Sequence, residues 1–166
     1  MKKYFFNLNF ILLLFLNACT GKEPTENINL DLNTFMSDWH LAATNADTTF
    51  FDYLSDDAIY IGTDASERWT KSEFVTFALP YFKKGKAWDF KTRERQFYFA
   101  DSEDIVWFDE TLDTWMGICR SSGVLKKNKN NEWKIKHYHL SCTVPNEKVR
   151  QFIELVAEKK EEQSVE

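Results

Sequence analysis

The chain has 166 residues, enough for one domain with a sizeable core and too few for two. Hydrophobic residues make up 43% and charged residues 28%, a balance that excludes a disordered chain, a collagen-like repeat and a polytopic membrane protein. A formal charge of −5 offers no basic footprint for nucleic acid, and an aromatic share of 16% suits a large core or an aromatic-lined cavity.

The N-terminus reads as an address. Met1-Lys2-Lys3 is a short basic start, and Phe10-Ile11-Leu12-Leu13-Leu14-Phe15-Leu16 is an apolar run too short to cross a bilayer but long enough for a signal-peptide core. It ends at Leu16-Asn17-Ala18-Cys19, which resembles a bacterial lipobox: Leu at −3, a small residue at −1, then the Cys that takes the lipid. Residues 1–18 are therefore expected to be a signal peptide, and Cys19 the acylated residue. The polar segment from Thr20 to Asn29 makes residues 19–29 a linker. Two or more acyl chains of the palmitate kind would hold the protein stably on a membrane, which one chain would not. The expected location is the bacterial cell envelope, and Thr20 in place of Asp after the Cys favours the outer membrane. Cleavage removes Lys2 and Lys3, taking the net charge from −5 to −7, and leaves Cys119 and Cys142 in the folded part. An oxidising compartment permits a disulfide between them without demanding one.

In chain order, residues 33–45 carry Phe35, Met36, Trp39 and Ala43 at helical spacing, and Asp47 caps a short helix bearing Phe50, Phe51 and Leu54. Residues 57–62 form a strand. Gly62 to Trp69 then makes a turn closed by Asp64 or, functionally, a lip that brings Trp69 and Tyr60 to a ligand. Thr70-Lys71-Ser72-Glu73 is a capping box that starts a helix with Phe74, Phe77 and Ala78, with Pro80 near its end and Gly85 closing it. From Trp88 the period changes to two, and residues 88–100, 104–112, 115–127 and 132–143 read as an antiparallel meander. Pro145 opens a last helix with Val149, Phe152, Ile153 and Val156 on one stripe, ending in a charged stretch from Glu158 that is expected to fray. Helices followed by a long antiparallel sheet make an α+β fold.

Gly123-Val124-Leu125-Lys126-Lys127, a polar turn and then Trp133-Lys134-Ile135-Lys136-His137-Tyr138-His139-Leu140-Ser141 resemble the last hairpin of SnoaL-like domains, members of the nuclear-transport-factor-2-like superfamily. The association domain of calcium/calmodulin-dependent kinase carries the same Trp-x-x-x-His-x-His-x-Ser pattern. The resemblance implies a cone-shaped fold, a curved sheet wrapped around N-terminal helices, over residues 30–145, followed by a C-terminal helix and tail over 146–166. It implies fold more firmly than function, since the fold hosts isomerases, dehydratases, binding proteins and oligomerisation hubs. Asn tolerates the left-handed geometry that the turn at residues 128–131 needs in place of the usual Gly.

Short turns allow the strands to be laid in register. Pairing Lys127 with Glu132, with further turns at Asp113-Thr114 and Ser102-Glu103, gathers Tyr98, Trp107, Asp109, Arg120, His137, His139 and Ser141 on one face, expected to look into the cone. Tyr98, Trp107, Arg120 and His139 then fall in one row with Asp109 diagonal to Arg120. Such a group is either a self-satisfied network or an anion anchor in an aromatic cavity. Tyr138 and Leu140 fall on the opposite face, expected to be outer. His137 and His139 lack a third ligand, so no metal is expected, and no cofactor motif is present. In that register Cys142 is a diagonal neighbour of Cys119 at roughly 7–8 Å, so two free thiols are expected.

Three functions follow. The first is a lipid-anchored module binding a small, partly apolar, anionic ligand through Arg120, Trp107, His139, Asp109, Tyr98, His137, Ser141, Tyr60 and Trp69. The second is an isomerase or dehydratase in which Asp109 or His139 moves a proton. The third is a homodimer through the outer sheet face.

Overall fold

The computed structural model describes residues 24–102 and 104–163; the expected signal peptide and Cys19 lie outside the described residues. Helix α1 (Pro24–Thr44) leads into a 3-10 helix (Thr48–Tyr53), then β1 (Leu54–Ile61), β2 (Arg68–Thr70) and α2 (Lys71–Lys83). The meander follows as β3 (Lys91–Phe99), β4 (Ile105–Thr114), β5 (Gly117–Lys127) and β6 (Trp133–Cys142), and α3 (Val149–Gln163) is the last element among the described residues. The six strands form one sheet in the order β2-β1-β6-β5-β4-β3, antiparallel except where β1 runs parallel to β6.

Most local signals act as read. Asp47 accepts from Thr49 N at 2.9 Å, and Thr70 and Glu73 complete the reciprocal capping box of α2. Gly85 closes that helix at φ 66°, and Asn131 takes φ 64° in the last hairpin turn. Helix α1 begins earlier than expected: Pro24 opens it, so residues 24–29 are helix where a linker is expected, and Ile28 packs on the core. Helix α3 runs on to Gln163, past the start of the charged stretch at Glu158, and its stripe of Val149, Phe152, Ile153 and Val156 is exposed.

The registers decide which side chains meet. Tyr98 pairs with Trp107 and Gln96 with Asp109, as the expected turn between β3 and β4 dictates. Between β4 and β5 the turn falls at Trp115-Met116, so Arg120 faces Thr111 rather than Trp107. Lys127 pairs with Trp133, and an irregularity between Val124 and Leu125 moves Cys142 directly opposite Cys119. Both thiols are free, with their sulfurs 3.9 Å apart, not diagonal as expected.

The same irregularity settles the faces. Ile135 and His137 are two residues apart, yet Ile135 is fully buried and His137 is not. The inner face consists of Phe97, Val106, Phe108, Glu110, Leu112, Cys119, Ser121, Leu125, Ile135, Tyr138 and Leu140, all buried. Helix α1 covers it with Leu32, Met36, Trp39 and Ala43, while α2 adds Phe74, Ala78 and Phe82. A helix-covered face in a small domain must be almost wholly apolar, and this one is. The face expected to look into the cone is therefore the outer one, and the one expected outside is the core.

Gly123 marks the tightest point of this packing. A Cβ there would collide with the His137 carbonyl oxygen and come within 2.8 Å of the Phe108 ring. Gly123→Ala is expected to cost about 1–3 kcal/mol in urea unfolding, the usual penalty for overpacking; an unchanged midpoint would contradict this account of the core.

Candidate functional site

At the rim of the cone the rings form a cleft of about 140 Å³. Tyr60 comes from β1, Trp69 from β2, Phe74 and Phe77 from α2, Trp88 and Phe90 from the segment before β3, and Trp115 from the turn between β4 and β5. The capping box fixes where α2 starts and so where its rings stand. Tyr60 stacks on Phe74 at 3.8 Å between centroids and 9° between planes, and Trp69 stacks on Phe77 at 4.7 Å. Trp69 and Tyr60 thus stand where a lip over the cavity was expected. The turn before Trp69 is closed by Asp64, whose carboxylate accepts from Ser66 N at 2.8 Å. Glu67 is the one charged residue in the cleft lining, which has no Lys, Arg or His. Burial, then the Glu67 charge, pushes the Tyr60 phenol well above its ordinary pKa.

Deeper in, the core holds one carboxylate. The Glu110 side chain is fully buried; its Oε1 accepts from His40 Nε2 and Ser121 Oγ, each at 2.9 Å, and its Oε2 from Arg95 Nε at 2.8 Å. The Arg95 guanidinium continues to Thr92 Oγ1 and to the Asn33 carbonyl of α1. Burial alone would raise the Glu110 pKa, but His40 and Arg95 outweigh it and hold the carboxyl below its ordinary value. Nearby, Trp39 Nε1 and Tyr138 OH are buried with no hydrogen-bond partner among the described residues. His40 also lines a surface cleft of about 300 Å³ between α1 and the start of β3. None of Glu110, His40 or Arg95 was singled out from sequence, although Glu110 sits between Phe108 and Leu112 on the apolar side of its strand.

Apart from Tyr60 and Trp69, the residues expected in the cavity lie outside it. Trp107 is 45% exposed and stacks on Tyr98 at 5.9 Å instead of on the guanidinium. Arg120 NH1 donates to Asp109 Oδ1 at 3.2 Å, and Tyr98 OH donates to Asp109 Oδ2 at 2.8 Å, so the expected diagonal pair exists on the outer surface. His139 faces Ser122, not Arg120, and its Nε2 lies 3.2 Å from Ser141 Oγ. Burial, then the neighbouring His139 and Arg68, lowers the His137 pKa. Asp109 and Arg120 share an outer groove of about 340 Å³ with Glu94, Gln96 and Thr111. An anionic ligand was expected because Arg120 was placed inside; with Arg120 outside, that argument no longer applies to the cone. Asp109 and His139, expected to move a proton in the cone, stand outside it for the same reason. Tyr138 and Leu140, expected on a partner-facing surface, are buried.

The family profile of the SnoaL-like domain matches residues 32–145. Among solved structures, a nuclear-transport-factor-2-like protein of unknown function from Pseudomonas putida superposes with a TM-score of 0.60 at 13% identity, covering 74% of this chain and 91% of that one. A candidate ketosteroid isomerase from Parabacteroides distasonis gives 0.57 at 20% identity, over 75% and 95%. A nuclear-transport-factor-2-like superfamily protein from Salmonella enterica gives 0.55 at 15% identity, over 74% and 95%. At these identities the likeness is one of fold. No curated protein matches the chain.

The two charge clusters predict opposite mutational outcomes. Glu110→Gln leaves Arg95 buried without its counter-charge and is expected to cost about 3–5 kcal/mol. Arg120→Met breaks a pair whose side chains are 58% and 37% exposed, so its expected cost is below about 1 kcal/mol. Because the Glu110 pKa is depressed in the folded state, its contribution is present above the ordinary carboxylate value and is lost progressively as pH falls from there through the lowered folded pKa. Wild type should therefore lose more stability than Glu110→Gln on acidification from pH 5 to pH 3 in chemical denaturation. Equal costs for the two variants, or parallel acid curves, would contradict the assignment of the inner face.

Proposed function

The chain belongs to the SnoaL-like domain family, and on that premise we propose that it is an exported, lipid-anchored protein that binds a small, largely apolar molecule in the aromatic cleft at the rim of its cone. The observation that carries the reading is the cleft itself: seven rings from five separate segments converge on about 140 Å³. A comparable apolar volume, about 150 Å³, suffices to hold a benzene-sized molecule. Rings that served only the core would close on one another, whereas Trp115 stands 83% exposed and Phe77 41% exposed at the opening.

Anchoring rests on the basic start, the apolar run and Leu16-Asn17-Ala18-Cys19. Since α1 begins at Pro24, the anchor and the fold are five residues apart, at most about 18 Å when extended. The domain then sits close to the membrane surface in the cell envelope, the outer membrane being the preferred side, and meets its ligand there.

A second reading, pairing of two copies through the outer sheet face, is favoured by Tyr98, Trp107 and Ile118, which are exposed on that face. A mass that doubles with concentration would carry it.

The main reading is tested in the protein's own host. Growth with an alkyne fatty acid should label the wild-type protein and not Cys19→Ser, which should leave the membrane fraction. Native mass spectrometry of the wild-type protein should show a co-purified small molecule that the double variant Phe77→Ala/Trp115→Ala loses while keeping its melting temperature. A membrane-bound but unlabelled protein contradicts the anchoring; a small molecule retained by the double variant contradicts the site.

A further inference from the structure

The composition of the cleft says more than that it is apolar. Seven aromatic residues line it, and the only charge among them is the carboxylate of Glu67. That carboxylate is held in place: Glu67 Oε2 accepts from Asp64 N at 3.1 Å, the Glu67 carbonyl accepts from Gly62 N at 2.9 Å, and the Gly62 Cα lies so near that any Cβ there would strike the carboxylate. Glu67 is half-buried, and among the described residues no Lys or Arg forms an ion pair with it. Its Oε1 accepts no hydrogen bond from the described residues, and Glu67 is part of the cleft lining. A negative charge positioned beside ring faces, with no positive side chain to neutralise it, is the arrangement that attracts an organic cation, because the ring quadrupole and the carboxylate act in the same direction.

We propose that the cleft selects a positively charged ligand, a quaternary ammonium or a comparably methylated amine, through the faces of Trp69, Phe77 and Trp115 and the carboxylate of Glu67. This rests on the proposed binding role of the cleft and adds the sign of the ligand's charge. The volume of about 140 Å³ admits a trimethylammonium head and a short tail. An anion is disfavoured twice, by Glu67 and by the negative faces of the rings. A hydrated ammonium such as a lysine side chain gives up more hydration than a trimethylammonium on entering such a site, so methylation favours binding.

Three soluble probes of one shape separate charge from size. Choline, 3,3-dimethylbutan-1-ol and 3,3-dimethylbutanoate share a head of three methyl groups and differ in charge. Titrated into the full-length protein by tryptophan fluorescence, choline is expected to bind at least tenfold more tightly than the alcohol, and the butanoate more weakly than either. Raising the salt from 20 to 500 mM should weaken choline and leave the alcohol unchanged. Glu67→Gln should remove most of the preference for choline, and Phe77→Leu, which keeps apolar bulk but deletes a ring, should reduce it while sparing the alcohol. Equal binding of choline and the alcohol, or tighter binding of the butanoate, overturns the cation inference and leaves the cleft as a binding site. Absence of binding by all three overturns both.

Discussion

One buried carboxylate ties the helical layer to the sheet. Glu110 of β4 takes hydrogen bonds from His40 of α1, Arg95 of β3 and Ser121 of β5, so four elements meet at two oxygens. Arg95 then reaches back to the Asn33 carbonyl and Ser37 of the same helix. An apolar core would have cost less to bury, but apolar contact is non-directional and would let α1 slide over the curved sheet. The polar centre sets where α1 stops, and with it the position of Trp39, which stacks on Phe50 and meets Tyr138 edge-on.

From that fixed point the ring network runs outward. Phe50 contacts Phe74, Phe82 and Trp88, and Phe74 contacts Tyr60 and Trp69, so the rings of the rim are continuous with those of the core. The cleft is thus the unfilled end of the core, and its walls are held by packing on one side only. Trp115 and Phe77 stand at the open side. For the binding role proposed above, such a cleft is preformed on its inner walls and adaptable at its mouth, which would limit the ordering cost of taking up a small molecule.

Much of this was legible in the sequence, and the exceptions have physical causes. Caps and turns are local, so Asp47, the Thr70–Glu73 box, Gly85 and Asn131 could be read directly, and the last hairpin pointed to the family. The register of β3 on β4 followed from a short turn. The choice of sheet face did not follow, because it depends on a bulge: one extra residue at Lys136 puts Ile135 inside and His137 outside although period two would join them. The charged and polar side chains of Arg120, Asp109 and His139 share a face because they are solvated together, not because they line a cavity. The apolar run of Val106, Phe108, Leu112, Leu125, Tyr138 and Leu140 was the better guide to the inside. Glu110 was hidden by the same logic, since a glutamate belongs in a core only with partners, and His40 and Arg95 are 70 and 15 residues away from it. Of the expected site, Tyr60 and Trp69 alone line the cleft, and both flank the short turn between β1 and β2, where local reading suffices.

On the proposed role, small molecules bind at the rim of the cone and not on the outer face of the sheet. The six tryptophans report on this directly, since Trp69, Trp88 and Trp115 line the cleft and Trp107 lies on the outer face. Indole N–H resonances of the nitrogen-15-labelled protein, followed while 3,3-dimethylbutan-1-ol is added, should shift progressively for Trp69, Trp88 and Trp115 while Trp107 stays in place. Shifts confined to Trp107, with the three rim indoles unmoved, would place the site on the outer sheet face and contradict the account.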